Sequence, residues 1–170
     1  MSRIIRQVSF LLGFSLFASM LAAEDLQNPQ NEVILTISGE IQTRNTDEGA
    51  EFDLDMLRAL PATEISTTTI WTEGEQAFVG VELAALAALV GFEGTTLKAS
   101  AVNDYSVDIP MSDAVAGRAM IAYERNGSTM PLRDKGPLWV VFPFDSDTEF
   151  QRESIYARSI WQLNRIAVVK

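Results

Sequence analysis

The side chains able to do chemistry in this sequence are carboxylates, hydroxyls, amides, aromatic rings and the cationic groups of lysine and arginine. The 170 residues include no cysteine and no histidine. That absence excludes disulfides, Ser-His-Asp and Cys-His nucleophiles, and zinc or blue-copper sites built from thiolate and imidazole. Any metal bound by the protein's own side chains must therefore be a hard ion with oxygen ligands.

The charge balance limits the partners. The chain carries 23 acidic and 13 basic residues, which gives a formal net charge of −10. A surface this acidic repels phosphate groups, so we expect no nucleic-acid partner and no binding to anionic lipid headgroups.

The N-terminus has the parts of a secretory signal peptide. Arg3 and Arg6 precede an apolar run, residues 10–21, and Ala22 and Ala23 follow it. The run is shorter than the ~20 residues that span a bilayer, so we expect cleavage after residue 23 and no membrane insertion of the mature protein. An uncleaved membrane anchor is the alternative. The expected organisation is a signal peptide over 1–23, a flexible entry segment over 24–32 and one domain over 33–170.

Beyond residue 32 the pattern is one of many short strands and few helices. Helices are predicted over 52–61, with Asp53 as N-cap, over 82–90, with Gly91 as C-cap, and at the start of 154–161. The Asn126-Gly127 pair predicts a type I′ hairpin turn. Since few strands alternate with helices, the pattern predicts a single α+β domain rich in β-sheet. Strands are predicted over residues 33–39, 64–71, 78–81, 95–102, 107–109, 119–124, 138–142 and 163–169.

Several segments, in order along the chain, resemble the oxidoreductase molybdopterin-binding domain of the sulfite oxidase superfamily. Residues 67–71, Thr-Thr-Thr-Ile-Trp, resemble the family's Cys-x-x-x-Trp segment, and residues 103–105, Asn-Asp-Tyr, resemble its Asp-Gly-Tyr loop. Residues 136–143 are similar to its Gly-x-Pro-Leu-Arg strand, and 78–86 and 122–127 match as well. The resemblance covers residues 33–169 and implies a mixed, sheet-rich fold of the sulfite oxidase type.

The departures from the family pattern bear on activity. In the family's enzymes the cysteine of this segment is the thiolate ligand of molybdenum, whereas Thr67 has that position here. A neutral hydroxyl is a poor substitute for a soft thiolate on this metal. Trp139 stands where the enzymes carry an arginine, which removes a cation able to hold a phosphate or an oxyanion substrate. The resemblance therefore implies a relative that is not an enzyme and requires no tightly bound cofactor or metal.

Length, predicted export and the missing cysteine make the chain similar to short periplasmic pterin-binding regulators. That resemblance implies a protein of the bacterial periplasm that binds a pterin. It also implies a partner, the periplasmic sensor domain of a membrane-bound enzyme that makes and degrades cyclic di-GMP.

A pterin offers a flat ring for stacking and an amino-pyrimidinone edge with adjacent N–H donors. The resemblance places Trp71 and Tyr105 in the pocket, although Trp71 is equally well explained as a core residue. Asp104 and Glu124 are candidate carboxylates for the edge, or else solvated acids in turns. The remaining candidates, each also explicable as an exposed or ordinary strand residue, are Asn103, Arg125, Thr67 and Thr69.

Two other functions stay open from the sequence. One is a molybdopterin-dependent oxidoreductase with non-cysteine ligation of the metal, which molybdenum in the purified protein would favour. The other is an adaptor with an emptied pocket that acts through protein contacts, which the absence of any bound small molecule would favour.

Overall fold

The structure is a computed structural model that describes residues 26–170, and these residues form one ten-stranded mixed sheet with three short α-helices. The predicted signal peptide, residues 1–23, lies outside the described residues. The α-helices are α1 (Leu54–Ala59), α2 (Leu83–Val90) and α3 (Glu153–Tyr156). The strands are β1 (Leu35–Gly39), β2 (Ala50–Phe52), β3 (Ala62–Thr68), β4 (Glu75–Glu82), β5 (Thr96–Ala101), β6 (Ser106–Pro110), β7 (Met120–Arg125), β8 (Ser128–Thr129), β9 (Leu138–Val141) and β10 (Trp161–Val169).

Strand β10 joins the parts of the sheet. The strand order is β2-β1-β10-β9-β7-β4-β3, while β5 pairs with β10 and β6, and β8 pairs with β7. One edge of β10 bonds to β9 near Trp161 and to β1 between Arg165 and Val168, and the other edge bonds to β5. Within the described chain the β1–β10 pair is parallel and the other pairs are antiparallel. The sheet-rich α+β fold predicted from the sequence is therefore confirmed.

The core follows the apolar runs. All four residues of β9 are fully buried, as the continuous apolar run at 138–142 predicts. Strand β7 packs beside it with its first four residues buried. The indole N–H of Trp139 donates to the Ser159 carbonyl at 3.2 Å, so this large ring is buried without an unsatisfied donor.

The predicted helix ends and the hairpin turn are present. Asp53 caps α1 by accepting a hydrogen bond from the Met56 amide at 2.9 Å, and Gly91 ends α2 in the left-handed conformation, with φ 71°. Asn126 and Gly127 have φ values of 52° and 77°, as a type I′ turn requires, and they connect β7 to β8. None of the helices within residues 26–170 is long and apolar enough to span a membrane.

Two predicted elements differ from the structure in ways that shape the site. The strand predicted over 64–71 ends at Thr68, because the Thr68 amide bonds to the Asp145 carboxylate instead of continuing the ladder. Trp71 is therefore outside the sheet. The helix expected within 154–161 is confined to α3, and the chain then enters β10 at Trp161.

The entry segment contacts the start of α1. Its described part, residues 26–32, has no regular secondary structure. The Asp53 carboxylate accepts hydrogen bonds from the backbone amides of Gln30 and Asn31 at 2.9 and 3.0 Å. The same side chain therefore caps a helix and holds the segment that precedes the sheet.

Candidate functional site

A cleft of about 490 Å³ opens between the turn after β3, the β5–β6 loop and the segment from α3 to β10. A volume of this size is within the range of small-molecule sites in proteins. Most of its surface is aromatic or aliphatic, and Glu153 is the one charged side chain among the described residues that line it. The lining residues are Ile70, Trp71, Ala101, Asn103, Tyr105, Glu153, Tyr156, Ala157, Ser159, Ile160, Trp161 and Gln162.

Trp71 is the centre of the aromatic wall. Its ring centroid lies 5.6 Å from that of Trp161 and 5.8 Å from that of Tyr156, with interplanar angles of 78° and 87°. It also meets Trp139 and Phe144 edge-on at 5.9 and 6.2 Å. Rings in these T-shaped arrangements hold one another in place, so the indole of Trp71 is fixed before any ligand arrives.

A threonine pair sets the turn that presents Trp71. The Trp71 amide donates to the Thr69 hydroxyl at 3.1 Å, and the Thr69 and Thr72 hydroxyls share a hydrogen bond of 2.8 Å. Local side-chain to backbone bonds of this kind replace the strand ladder. Thr69 therefore positions the ring beside the cleft.

The segment between α3 and β10 positions two rings of this aromatic wall. The Ser159 hydroxyl donates to the Val140 carbonyl, and the Val140 amide donates to the Ile160 carbonyl at 2.9 Å. Both bonds attach the segment to the buried strand β9. Because Tyr156 and Trp161 flank this segment, the fully buried strand β9 fixes the positions of both rings.

The β5–β6 loop forms the mouth of the cleft. Asp104 is in the left-handed conformation, with φ 65°, and the Tyr105 amide donates to the Asn103 side-chain oxygen at 3.2 Å. The turn leaves Tyr105 59 % exposed at the opening, and Ile70 on the other side is 62 % exposed.

The structure brings three of the eight predicted site residues together in the cleft, namely Trp71, Asn103 and Tyr105. Thr69 acts through the turn described above. The roles of all eight in ligand binding stay predictions. Three of the eight line the cleft, and the other five do not.

The charged candidates are paired with other residues and do not line the cleft. The Asp104 carboxylate bonds to Arg165 at 2.7 Å from the surface of the loop. Glu124 pairs with Arg58 at 2.7 Å, and Arg125 pairs with Asp134 at 2.6 Å. A sequence cannot show these pairings, because each joins residues from separate elements.

Thr67 is fully buried and its hydroxyl is engaged. It accepts a hydrogen bond from the Asp145 amide at 3.1 Å and donates to the Thr68 carbonyl at 3.3 Å. In return the Asp145 carboxylate accepts from the Thr68 amide and hydroxyl, and these bonds hold the pKa of Asp145 below its ordinary value. Thr67 and Asp145 thus join the end of β3 to the loop after β9.

Nine of the twelve lining residues were not among the predicted site residues. Among them, Glu153, Tyr156, Trp161 and Gln162 come from the segment that runs from α3 into β10. They lie about eighty positions after Trp71 in the sequence and reach it only through the pairing of β9 with β10. Trp161 suggests a core or interface residue from its type alone. Its exposure of 36 % and its place at the first position of β10 are visible only in the structure.

The residues present do not fit a molybdenum centre, whereas they fit a flat ring. The hydroxyl at position 67 is buried and already bonded, and no three carboxylates among residues 26–170 converge on a common point. No lysine or arginine is among the described lining residues, so the cleft offers no cation for a cofactor phosphate. Trp71, Tyr156 and Trp161 provide apolar walls of the kind on which a heteroaromatic ring packs.

Comparisons with known proteins agree with the fold. The family model described as the oxidoreductase molybdopterin binding domain matches residues 27–146. Among solved structures, the sulfane dehydrogenase SoxCD from Paracoccus pantotrophus is similar, with a TM-score of 0.60 and 19 % sequence identity. The match covers 85 % of this chain and 40 % of that one, so the chain spans well under half the length of that structure. No curated protein sequence matches the chain.

The predicted sulfite-oxidase-type fold is thus confirmed by sequence and by structure. The family so matched is one of molybdopterin-binding, oxidoreductase-type domains. The chain belongs to the family of oxidoreductase molybdopterin-binding domains.

Proposed function

We propose that this protein binds a pterin in the aromatic cleft and is not itself an enzyme. The observation that carries the proposal is the combination of the preformed ring wall around Trp71 with the buried, fully bonded Thr67. A family built around a pterin cofactor retains a place for the ring here, while the group that would ligate the metal is occupied by structural hydrogen bonds.

The cleft supports a ligand of pterin size and shape. Its volume of about 490 Å³ exceeds what a bicyclic ring alone needs and leaves room for a short side chain. Trp71 and Trp161 supply faces and edges for packing, and Tyr105 at the mouth can cover an exposed ring. Stacking of this type is tolerant of ring substituents, so it favours binding of several related pterins.

The proposal includes the periplasm as location and a sensor domain as partner. We infer that the protein reports its ligand to the periplasmic sensor domain of a membrane-bound enzyme of cyclic di-GMP metabolism. The similarity to short cysteine-free pterin regulators supports this partner. The exposed side chains of Ile70 and Tyr105 beside the cleft support it as well, because a ligand seated there is within reach of a second protein.

A molybdopterin-dependent oxidoreductase with non-cysteine ligation is the second candidate, and the family match is partly consistent with it. It requires a metal ligand other than Thr67. The side chains that line the cleft support this function less well than they support the binding of a pterin without a metal.

The experiment is to purify the protein from its native cell and to measure two quantities on the same sample. Metal content is measured by mass spectrometry, and the released small molecule is measured by fluorescence after denaturation. A pterin fluorophore at near-stoichiometric amount without molybdenum is the expected result.

Molybdenum together with a molybdopterin derivative would overturn the proposal in favour of the oxidoreductase. If no small molecule is found and the protein does not bind added pterin, the remaining function is that of an adaptor that acts through protein contacts. Trp71→Ala is the matched variant, since stacking on one aromatic ring contributes about 1–3 kcal/mol and its loss should weaken binding by roughly 5- to 150-fold.

A further inference from the structure

The carboxylate of Glu153, the one acid that lines the cleft among the described residues, has no partner in the described structure. Asp104, Glu124 and Asp145 are all bonded to other protein groups. Glu153 lies at the start of α3, is exposed, and forms neither an ion pair nor a side-chain hydrogen bond within residues 26–170. Its side chain is therefore available to a ligand.

The surroundings of this carboxylate are apolar and aromatic. Glu153 shares the cleft with Trp71, Trp161 and Tyr156, and Tyr156 lies one turn further along α3. A carboxylate next to aromatic rings favours a flat molecule whose edge carries N–H donors. The rings pack against the face of such a molecule, and the carboxylate accepts hydrogen bonds from its edge. A ligand with an anionic group is disfavoured at the same place.

The Lys135 ammonium beside the Trp161 ring does not change this polarity. The Lys135 ammonium lies 5.7 Å from the Trp139 ring centroid and 5.8 Å from that of Trp161. It is also 3.9 Å from the Asp134 carboxylate, and Lys135 is not among the residues that line the cleft. The ammonium is thus engaged with the rings and with Asp134, and Glu153 sets the local charge of the binding surface.

We propose that Glu153 is the specificity-determining residue of the cleft and accepts the two adjacent N–H donors of an amino-pyrimidinone edge. The inference rests on the proposed function, because it names the residue that reads the pterin in that cleft. It deepens that function by predicting selection for a 2-amino-4-oxo ring over a 2,4-dioxo ring. The second ring keeps the bicycle and its stacking but replaces the amino donor with a carbonyl acceptor.

The test uses two probes, pterin (2-amino-4-oxopteridine) and lumazine (2,4-dioxopteridine), titrated calorimetrically into the full mature protein. Wild-type protein is expected to bind pterin more tightly than lumazine. Glu153→Gln is expected to weaken pterin binding by roughly 10- to 100-fold, the range for loss of a charge-assisted hydrogen bond. Lumazine binding should change by less than about threefold, so the variant should lose the preference for pterin over lumazine.

Glu75→Gln is the matched control, since it makes the same charge change at an exposed position outside the cleft. It should leave both affinities unchanged. An unaltered melting temperature of Glu153→Gln confirms that the variant is folded, as expected for an exposed side chain without protein partners.

The outcomes separate the two proposals. Equal binding of the two probes by wild-type protein, or pterin binding by Glu153→Gln as tight as by wild type, would overturn the role of Glu153 and leave the pterin site intact. Wild-type protein that binds neither probe would overturn the pterin site and this inference together.

Discussion

At the scale of single residues, the position that decides the chemistry is Thr67. The resemblance makes it the counterpart of a metal-ligating cysteine, and its hydroxyl bonds to the Asp145 amide in a fully buried place. A hydroxyl used in this way contributes to stability. In this structure the residue joins β3 to the loop after β9.

Thr67→Val tests that structural role. Valine keeps the shape but removes the acceptor of the Asp145 amide, so we expect the free energy of unfolding to fall by about 1–3 kcal/mol. Urea denaturation measures the change. Thr67→Ser keeps the hydroxyl and should retain most of the stability, and equal stabilities of Thr67→Val and wild type would contradict the role.

Asp53 gives stability that depends on pH. Its pKa is held below the ordinary value of 3.8, chiefly by the hydrogen bond from the Met56 amide, with further bonds from Gln30 and Asn31. A carboxyl group with a lowered folded pKa stabilises the fold above its unfolded pKa, and that contribution is lost as pH falls through the folded pKa. We therefore expect Asp53→Asn to be less stable than wild type at pH 5 and above, with the difference shrinking below about pH 4.

The measurement is thermal unfolding of both proteins between pH 3 and pH 7. The side-chain oxygen of asparagine can still accept the hydrogen bond from the Met56 amide. Its NH2 group replaces Oδ2, however, and cannot accept the hydrogen bonds from the Gln30 and Asn31 amides. Asp47→Asn, at an exposed site outside these contacts, is the control. The interpretation fails if the two variants show the same pH dependence.

At the scale of elements, one buried ion cluster holds the wall of the cleft. Asp113 is 1 % exposed, and its two oxygens bond to Arg118 at 3.2 Å and to Arg158 at 2.8 Å. Arg158 belongs to the segment between α3 and β10, whose neighbouring residues line the cleft. The cluster thus connects the turn after β6 to the element that carries Glu153 and Tyr156.

Asp113→Ala should destabilise the protein by about 1.5–3 kcal/mol, because two charge-assisted hydrogen bonds lose their acceptor. The near-ultraviolet circular dichroism of the tryptophan cluster should also weaken, since Tyr156 packs against Trp71. Asp134→Ala removes an acid whose side chain is 46 % exposed and should cost about 1 kcal/mol or less. Similar losses in the two variants would show that the cluster does not hold the wall.

The elements also show what a sequence can and cannot reveal. The cap at Asp53, the end of α2 at Gly91 and the turn at Asn126-Gly127 were predicted correctly, because each depends on residues within one turn of chain. The end of β3 at Thr68 was missed, because it depends on a carboxylate 77 residues away. Tyr156 and Glu153 were missed for the same reason, since only the fold brings them to Trp71.

At the scale of the whole molecule, ligand binding and stability are linked. A ligand that binds only the folded state stabilises it by about 2.7 kcal/mol at a concentration one hundred times its Kd. For a domain of this size that corresponds to a rise in melting temperature of roughly 5–10 °C. We expect pterin to produce this rise in a thermal denaturation experiment.

Molybdate at the same concentration is the control, and it should leave the melting temperature unchanged because no lysine or arginine of residues 26–170 lines the cleft. Trp71→Ala should show a smaller rise than wild type at equal pterin concentration. A rise with molybdate and none with pterin would point to an oxyanion site and away from the aromatic cleft.

The position of β10 in the sheet has a consequence for the timing of folding. Its partners β1, β5 and β9 come from the early, middle and late parts of the described chain, and the parallel β1–β10 pair spans nearly its whole length. Until residues 161–169 leave the ribosome, β1 lacks its inner neighbour and the aromatic wall lacks Trp161. Contacts between residues so distant in sequence form slowly. The sheet, and with it the aromatic wall, is therefore completed only when β10 pairs with β1, β5 and β9.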